Sequence, residues 1–250
     1  MSLPTTTVRI PTPDGEADAI VAHPHGPGPF PGVLLYPDAF GPRPEIERKA
    51  AELAEHGYYV LAPNIFYRHG QAPVVELPDH IRISARDAII TQLVPLMRAH
   101  TTDLVLRDAD AYLQFLDAQP EVASGPVATI GYCVGAILAL RTAAAHPEQV
   151  AAIAGFHPGP LVTDAPDSPH RVLAKLTAHV HIGFATPDIS AEALAELTQA
   201  LNETGVPHTT EIYPNTIHGF TMSDTDVFSP DGHQHHWDRL LALLKEAHPA

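Results

Sequence analysis

The sequence predicts one α/β domain built on a mostly parallel central sheet with helices on both faces, spanning residues 1–250. Three observations carry this. Short apolar runs of strand length alternate with segments of helical spacing along the whole chain, no internal boundary or repeat period interrupts them, and 45% of residues are hydrophobic. Length alone is neutral, because 250 residues fit one α/β domain as well as two small ones.

Residues 6–10 and 17–23 flank the turn triplet Pro13-Asp14-Gly15 and read as a hairpin at the sheet edge. Residues 32–36, Gly-Val-Leu-Leu-Tyr, form a short apolar run suited to burial on both faces of a parallel sheet. Pro44 can open a helix that Gly57 closes, and 58–62 is the next strand. The stretch 64–79 is irregular and carries Pro73 and Pro78. Helices are expected at about 79–98 and 103–118, the second with Leu104, Leu106, Tyr112, Leu113, Phe115 and Leu116 along a core face. The strand 126–130 precedes an alanine-rich helix at 136–145, and another strand runs over 150–156. Strand-like runs at 179–186 and 208–213 are separated by a helix that Ser190 can cap, and a helix at about 234–247 ends the fold.

Bulk charge excludes some functions. Acidic residues outnumber basic ones 29 to 14, giving a formal charge of −15, and no Lys/Arg cluster forms a phosphate-binding stripe, so nucleic acid is not an expected partner. No apolar run has the length of a membrane span, and the first residues lack a signal peptide's basic and apolar regions; the expectation is a cytoplasmic protein. One cysteine permits neither an internal disulfide nor a thiolate-rich metal site. His233, His235 and His236 with His218 suggest a metal site, but the adjacent His235 and His236 cannot both face one point on a helix and no nearby cysteine completes a zinc pattern, so no metal or other cofactor is expected.

That single cysteine stands at the centre of Gly131-Tyr132-Cys133-Val134-Gly135, between the strand at 126–130 and the helix at 136–145. A strand, sharp turn and helix with G-x-nucleophile-x-G exposes the central side chain, and the glycines allow the two segments to approach closely. A free cysteine is also a common packing residue, so chain order matters. An elbow of this type is followed by an acid and then a histidine, each beyond a later strand. Asp188 follows the strand at 179–186, and His218 lies in the loop after 208–213. Asp164 and Asp167 are rival acids, but they follow an earlier strand, and His157 is expected to line a loop.

The elbow, the segment Tyr36-Pro37-Asp38-Ala39-Phe40-Gly41, the run from His56 to Tyr67 and the triplet His218-Gly219-Phe220 together resemble the dienelactone hydrolase family of the alpha/beta-hydrolase superfamily. The resemblance covers nearly the whole chain. It implies a Cys133–His218–Asp188 triad that hydrolyses a small lactone or activated ester through an acyl-cysteine, with the backbone N–H groups of Val134 and Ala39 as oxyanion donors. General carboxylesterase or thioesterase activity uses the same triad, and a fold member whose exposed thiol only senses oxidants is a third reading. Two departures from the family stand out. Asp38 occupies the place of a glutamate that partners the thiol, one methylene shorter, and no arginine follows His218 to receive a substrate carboxylate. Arg68, Arg82 and Arg86 are the candidates to supply that charge.

Overall fold

The computed structural model describes residues 3–186 and 188–248. Its centre is one eight-stranded sheet: β1 (Thr6–Thr12), β2 (Gly15–Ala22), β3 (Gly32–Tyr36), β4 (Tyr59–Pro63), β5 (Val127–Tyr132), β6 (Val150–Phe156), β7 (His179–Ala185) and β8 (His208–Tyr213). The spatial order is β1-β2-β4-β3-β5-β6-β7-β8. The β1–β2 hairpin, with Val8 opposite Ala19, and the β2–β4 pair are antiparallel, and every other pairing is parallel. The hairpin thus sits at the sheet edge, and the parallel strands β3 to β8 direct their C-terminal ends to one side.

Among the described residues six α-helices connect or flank the strands: α1 (Pro44–Glu55), α2 (Ile83–Ala99), α3 (Thr102–Asp117), α4 (Val134–Ala145), α5 (Ala191–Thr204) and α6 (Pro230–Ala247). Strand alternation decides which helices each face receives, since successive side chains point to opposite sides. On β3, Val33 and Leu35 join a core with Ile46 and Leu53 of α1 and Trp237, Leu240 and Leu244 of α6. Leu34 and Tyr36 join the opposite core, with Tyr112 and Leu116 of α3, Leu138 of α4 and Leu197 and Leu201 of α5. All five residues of β3 and of β4 are buried, which explains why these strands read as unbroken apolar runs.

Local signals account for most boundaries. Pro44 occupies the first turn of α1, and Gly57 follows it at φ +100°, a conformation a side chain resists. Ser190 Oγ accepts from the Ala193 N–H at 3.2 Å and starts α5. The final helix starts four residues earlier than expected, because Ser229 caps it and Pro230 fills its first position. The second helix begins at Ile83 rather than 79: the segment before it is tied to the loop after β8 by the Ile81 N–H to Asp224 O bond at 2.8 Å. Among the described residues no helix is long and apolar enough to cross a membrane.

Candidate active site

Four segments meet beyond the C-terminal ends of the parallel strands: the turn after β3 (Asp38, Ala39), the β5–α4 junction (Cys133), the residues after β7 (Asp188) and the loop after β8 (His218). This is where open parallel sheets place their sites.

Cys133 is half-buried and lies between the last residue of β5 and the first of α4 with φ 56° and ψ −118°. That conformation is outside the usual regions for a side-chain-bearing residue and stores on the order of 1–3 kcal/mol of strain. Its neighbours hold it there. The Cys133 N–H donates to Phe156 O at 3.1 Å, and its carbonyl accepts from the Ala136 and Gly159 N–H groups, both at 3.2 Å. The flanking glycines are required by contact: a Cβ on Gly131 would enter the Gly135 carbonyl, and one on Gly135 would lie 2.5 Å from Pro37 O and against Tyr36 O. The second contact presses the start of α4 onto the end of β3, beside Asp38 and Ala39. The backbone N–H groups of Ala39 and Val134 have no protein acceptor among the described residues.

His218 sits in a loop shaped by Asn215 at φ 58° and Gly219 at φ 94°, and anchored by the fully buried Phe220. Its Nδ1 lies 3.0 Å from Asp188 Oδ2, as a donor to the carboxylate. The Asp188 side chain is 8% exposed, and that of His218 is 26% exposed. Burial works against a charged imidazole here, yet the Asp188 hydrogen bond and the neighbouring Cys133 sulfur outweigh it and hold the pKa up at about 10. Behind His218, the fully buried His157 packs edge-on at 5.2 Å between ring centroids. His157 Nε2 is 2.8 Å from Thr221 Oγ1, and burial pushes its pKa well below the ordinary range, so it remains neutral. Beside the elbow, Phe66, Met97, Val134, Ile137 and Pro160 line part of a groove of about 210 Å³.

The structure therefore brings Cys133, His218 and Asp188 to one place. The rival Asp167 is elsewhere, on Arg141 at 3.2 Å and Thr102 at 2.9 Å. Two expectations need correction. Asp38 is not directed to the thiol: Arg43 Nη1 and Nη2 take its two carboxylate oxygens at 2.7 and 3.0 Å, and the Phe40 N–H donates to Oδ1 at 3.1 Å. Arg68 is not available to a substrate, because it donates to Asp14 and, through two nitrogens at 2.7 Å each, to the buried Asp108. Arg82 stands exposed immediately before α2. Arg86 alone of the three contacts the site, through Nη2 at 3.3 Å from His218 O, and among the described residues it pairs with no carboxylate. Arg43 and His157 belong to no motif in the sequence: Asp38 is only five residues before Arg43, but the other partners, Asp224 of Arg43 and Thr221 of His157, lie far along the chain. The other histidines bond to separate groups, His235 to Glu211 and His236 to Tyr132, both at 2.9 Å. Among the described residues no cluster of three or more His, Cys, Asp or Glu side chains is placed to hold a metal.

Comparison with known proteins assigns this geometry to a lineage. The dienelactone hydrolase family matches residues 17–248. A candidate carboxymethylenebutenolidase of Methylorubrum extorquens is 28% identical over 96% of this chain and 80% of its own length. The carboxymethylenebutenolidase of Rhodococcus opacus is also 28% identical, over 85% of this chain and 80% of its own. A crystallised candidate dienelactone hydrolase from Klebsiella pneumoniae superposes with a TM-score of 0.83 at 21% identity, over 98% of this chain and all of that one, which establishes the shared fold. The chain belongs to the dienelactone hydrolase family, and it is a hydrolase of the lactone- and ester-cleaving type.

Proposed function

We propose that this enzyme hydrolyses lactones or small activated esters by a cofactor-independent Cys133–His218–Asp188 mechanism through an acyl-cysteine. The observation that carries the reading is the His218 imidazole set between Asp188, 3.0 Å from Nδ1, and Cys133 at its strained elbow.

The chemistry follows from that placement. His218 takes the thiol proton while Asp188 fixes the tautomer that leaves the other ring nitrogen free to accept it, and stabilises the imidazolium that results. The thiolate attacks the carbonyl carbon, and the tetrahedral oxyanion is received by the free N–H groups of Val134 and Ala39, aided by the N-terminus of α4. Collapse expels the alkoxide, which collects the proton from His218. In a lactone the released alcohol remains joined to the acyl group. Water, deprotonated by His218, then attacks the thioester, and the carboxylic acid leaves with the thiol restored.

In this reading Arg86 receives a carboxylate on the substrate; what supports it is that the side chain adjoins His218 and, among the described residues, pairs with no acid. The groove beside Val134 offers room for a small substituent only. A panel of lactones and aryl esters, with Cys133→Ala as the blank, tests the reading. Turnover lost in the variant supports it. A thiol that is modified by substrates or oxidants but never regenerated would instead favour the sensing role.

A further inference from the structure

The turn carrying Ala39 follows β3, and the loop carrying His218 follows β8, with β5, β6 and β7 between them in the sheet. β3 and β8 are not paired directly, and the two loops lie beyond the paired residues. Side chains join them there, and the contacts converge on Arg43, the residue immediately before α1.

Arg43 is 7% exposed and spreads its guanidinium over both segments. Toward the first, Nη1 and Nη2 hold Asp38 at 2.7 and 3.0 Å, and Nη1 also donates to Gly41 O at 3.2 Å. Toward the second, Nε and Nη2 hold Asp224 at 2.6 and 3.3 Å. Asp38 is in turn bound into the peptide segment around Ala39: its Oδ1 accepts from the Phe40 N–H, and its carbonyl accepts from the Gly41 N–H at 3.0 Å. Asp224 belongs to the same loop as His218, and α1 grips that loop at Ser223 and Thr221 as well. Glu45 Oε2 accepts from Ser223 Oγ at 2.5 Å, and the buried Lys49 Nζ donates to Thr221 O at 2.9 Å. Thr221 is also the partner of His157, the ring packed against His218.

We propose that Arg43 is a positioning residue for the hydrolysis, one that sets the Ala39 oxyanion donor in register with the histidine loop and neutralises Asp38 beside the oxyanion. The inference rests on the thiol-hydrolase reading above. Its physical basis is geometric and electrostatic. A planar fork bound to two carboxylates admits few alternative poses, whereas a lysine would bring a single point charge. A buried ion pair of this kind contributes little net stability compared with apolar packing, but it fixes relative position. Without the arginine, the Asp38 charge would stand uncompensated next to the donor that receives a developing oxyanion, raising the barrier while leaving the bound substrate much less affected. Asp38 is thereby a fixed structural anion and not a mobile partner of the thiol.

The test uses Arg43→Lys, which keeps the charge but loses the fork, and Asp38→Asn, which keeps the shape and the Phe40 contact but loses the charge. Turnover of p-nitrophenyl acetate is measured per active thiol, counted by the mass of the iodoacetamide adduct on Cys133. The expected result for Arg43→Lys is a kcat lower by about 10- to 100-fold, the scale of a small misplacement of reacting groups, with KM within about threefold. Asp38→Asn removes the anion beside the oxyanion but also one of the two anchors of the fork, and the lost register should still lower kcat, by less than Arg43→Lys does. A merely structural role would lower the number of active thiols or the melting temperature while leaving kcat per thiol unchanged, and that outcome overturns the proposal, as does a loss expressed wholly in KM. Should Arg43→Lys fail to fold, Asp38→Asn decides alone. Wild-type protein with no turnover that depends on Cys133 would overturn the parent reading and this one with it, whereas an active wild type with unaltered variants overturns this one only.

Discussion

Asp188→Asn is the sharpest perturbation of the imidazole, because it removes one charge and almost no volume. The His218 pKa is raised from 6.5 to about 10 despite burial, a preference for the charged ring of about 5 kcal/mol. Asp188 and Cys133 are the two groups that raise it, and the Asp188 hydrogen bond is the larger single contribution. Its loss therefore withdraws a charge-assisted hydrogen bond of about 1.5–3 kcal/mol from the imidazolium, a factor of about 10 to 150 in rate if the whole of it is felt in the transition state. Asparagine also presents an amide N–H₂ to Nδ1 and favours the wrong tautomer, which in a serine triad extends the loss to about 10⁴-fold. The expected kcat is thus lower by about 10- to 10⁴-fold, with the fold retained. The assay is steady-state hydrolysis of an aryl acetate between about pH 6 and 9, paired with a urea titration at each pH. The stability arm has a definite sign. A folded-state pKa above the unfolded value gives stabilisation that is complete below pH 6.5 and is lost as pH rises toward about 10. Asp188→Asn should flatten that decline. Turnover within about threefold of wild type, or an unchanged decline of stability with pH, would refute the role given to Asp188.

Other substitutions probe the neighbouring contacts. Gly135→Ala drives a methyl into Pro37 O and Tyr36 O, so it should destabilise by about 1–3 kcal/mol in thermal or denaturant unfolding and displace both oxyanion donors, lowering kcat more than the loss of folded protein explains. Arg68→Ala leaves the 2%-exposed Asp108 without its guanidinium and should cost about 3–5 kcal/mol in denaturant titrations, with KM little changed. Arg86→Gln should do the reverse, leaving stability nearly intact while selectively reducing kcat/KM for a carboxylated lactone relative to its methyl ester.

Much of the architecture was legible because it is written in local signals. The apolar runs of β3 and β4 are buried on both faces, and Pro44, Gly57 and Ser190 mark helix ends by mechanisms that act within one turn. The start of α6 was legible too, in Ser229-Pro230, but the polar first turn hid it from a reading based on apolar spacing. The start of α2 was not, because a contact with the loop after β8, far along the chain, sets where it begins. The site divides the same way. Gly131 and Gly135 announce the elbow through steric demands of adjacent backbone, and the order of Cys133, Asp188 and His218 follows strand placement. Which cation holds Asp38, and which arginine is left free beside His218, depends on Arg43, immediately before α1, and on Arg86 of α2. Asp14 and Asp108 claim Arg68 and Asp224 claims Arg43 across 40 residues or more, pairs that spacing along the sequence does not reveal, whereas the Asp38–Arg43 pair is local, five residues apart.

The acyl-enzyme offers the most direct measurement. Wild-type protein mixed with excess p-nitrophenyl acetate and quenched in acid within the first turnovers should carry one added acetyl group by intact mass, located on the peptide containing Cys133, and the adduct should disappear as substrate is exhausted. Cys133→Ala should show neither adduct nor turnover. Hydrolysis that proceeds at the wild-type rate in Cys133→Ala, or an acyl group found on another residue, would contradict the central claim that this thiol is the nucleophile.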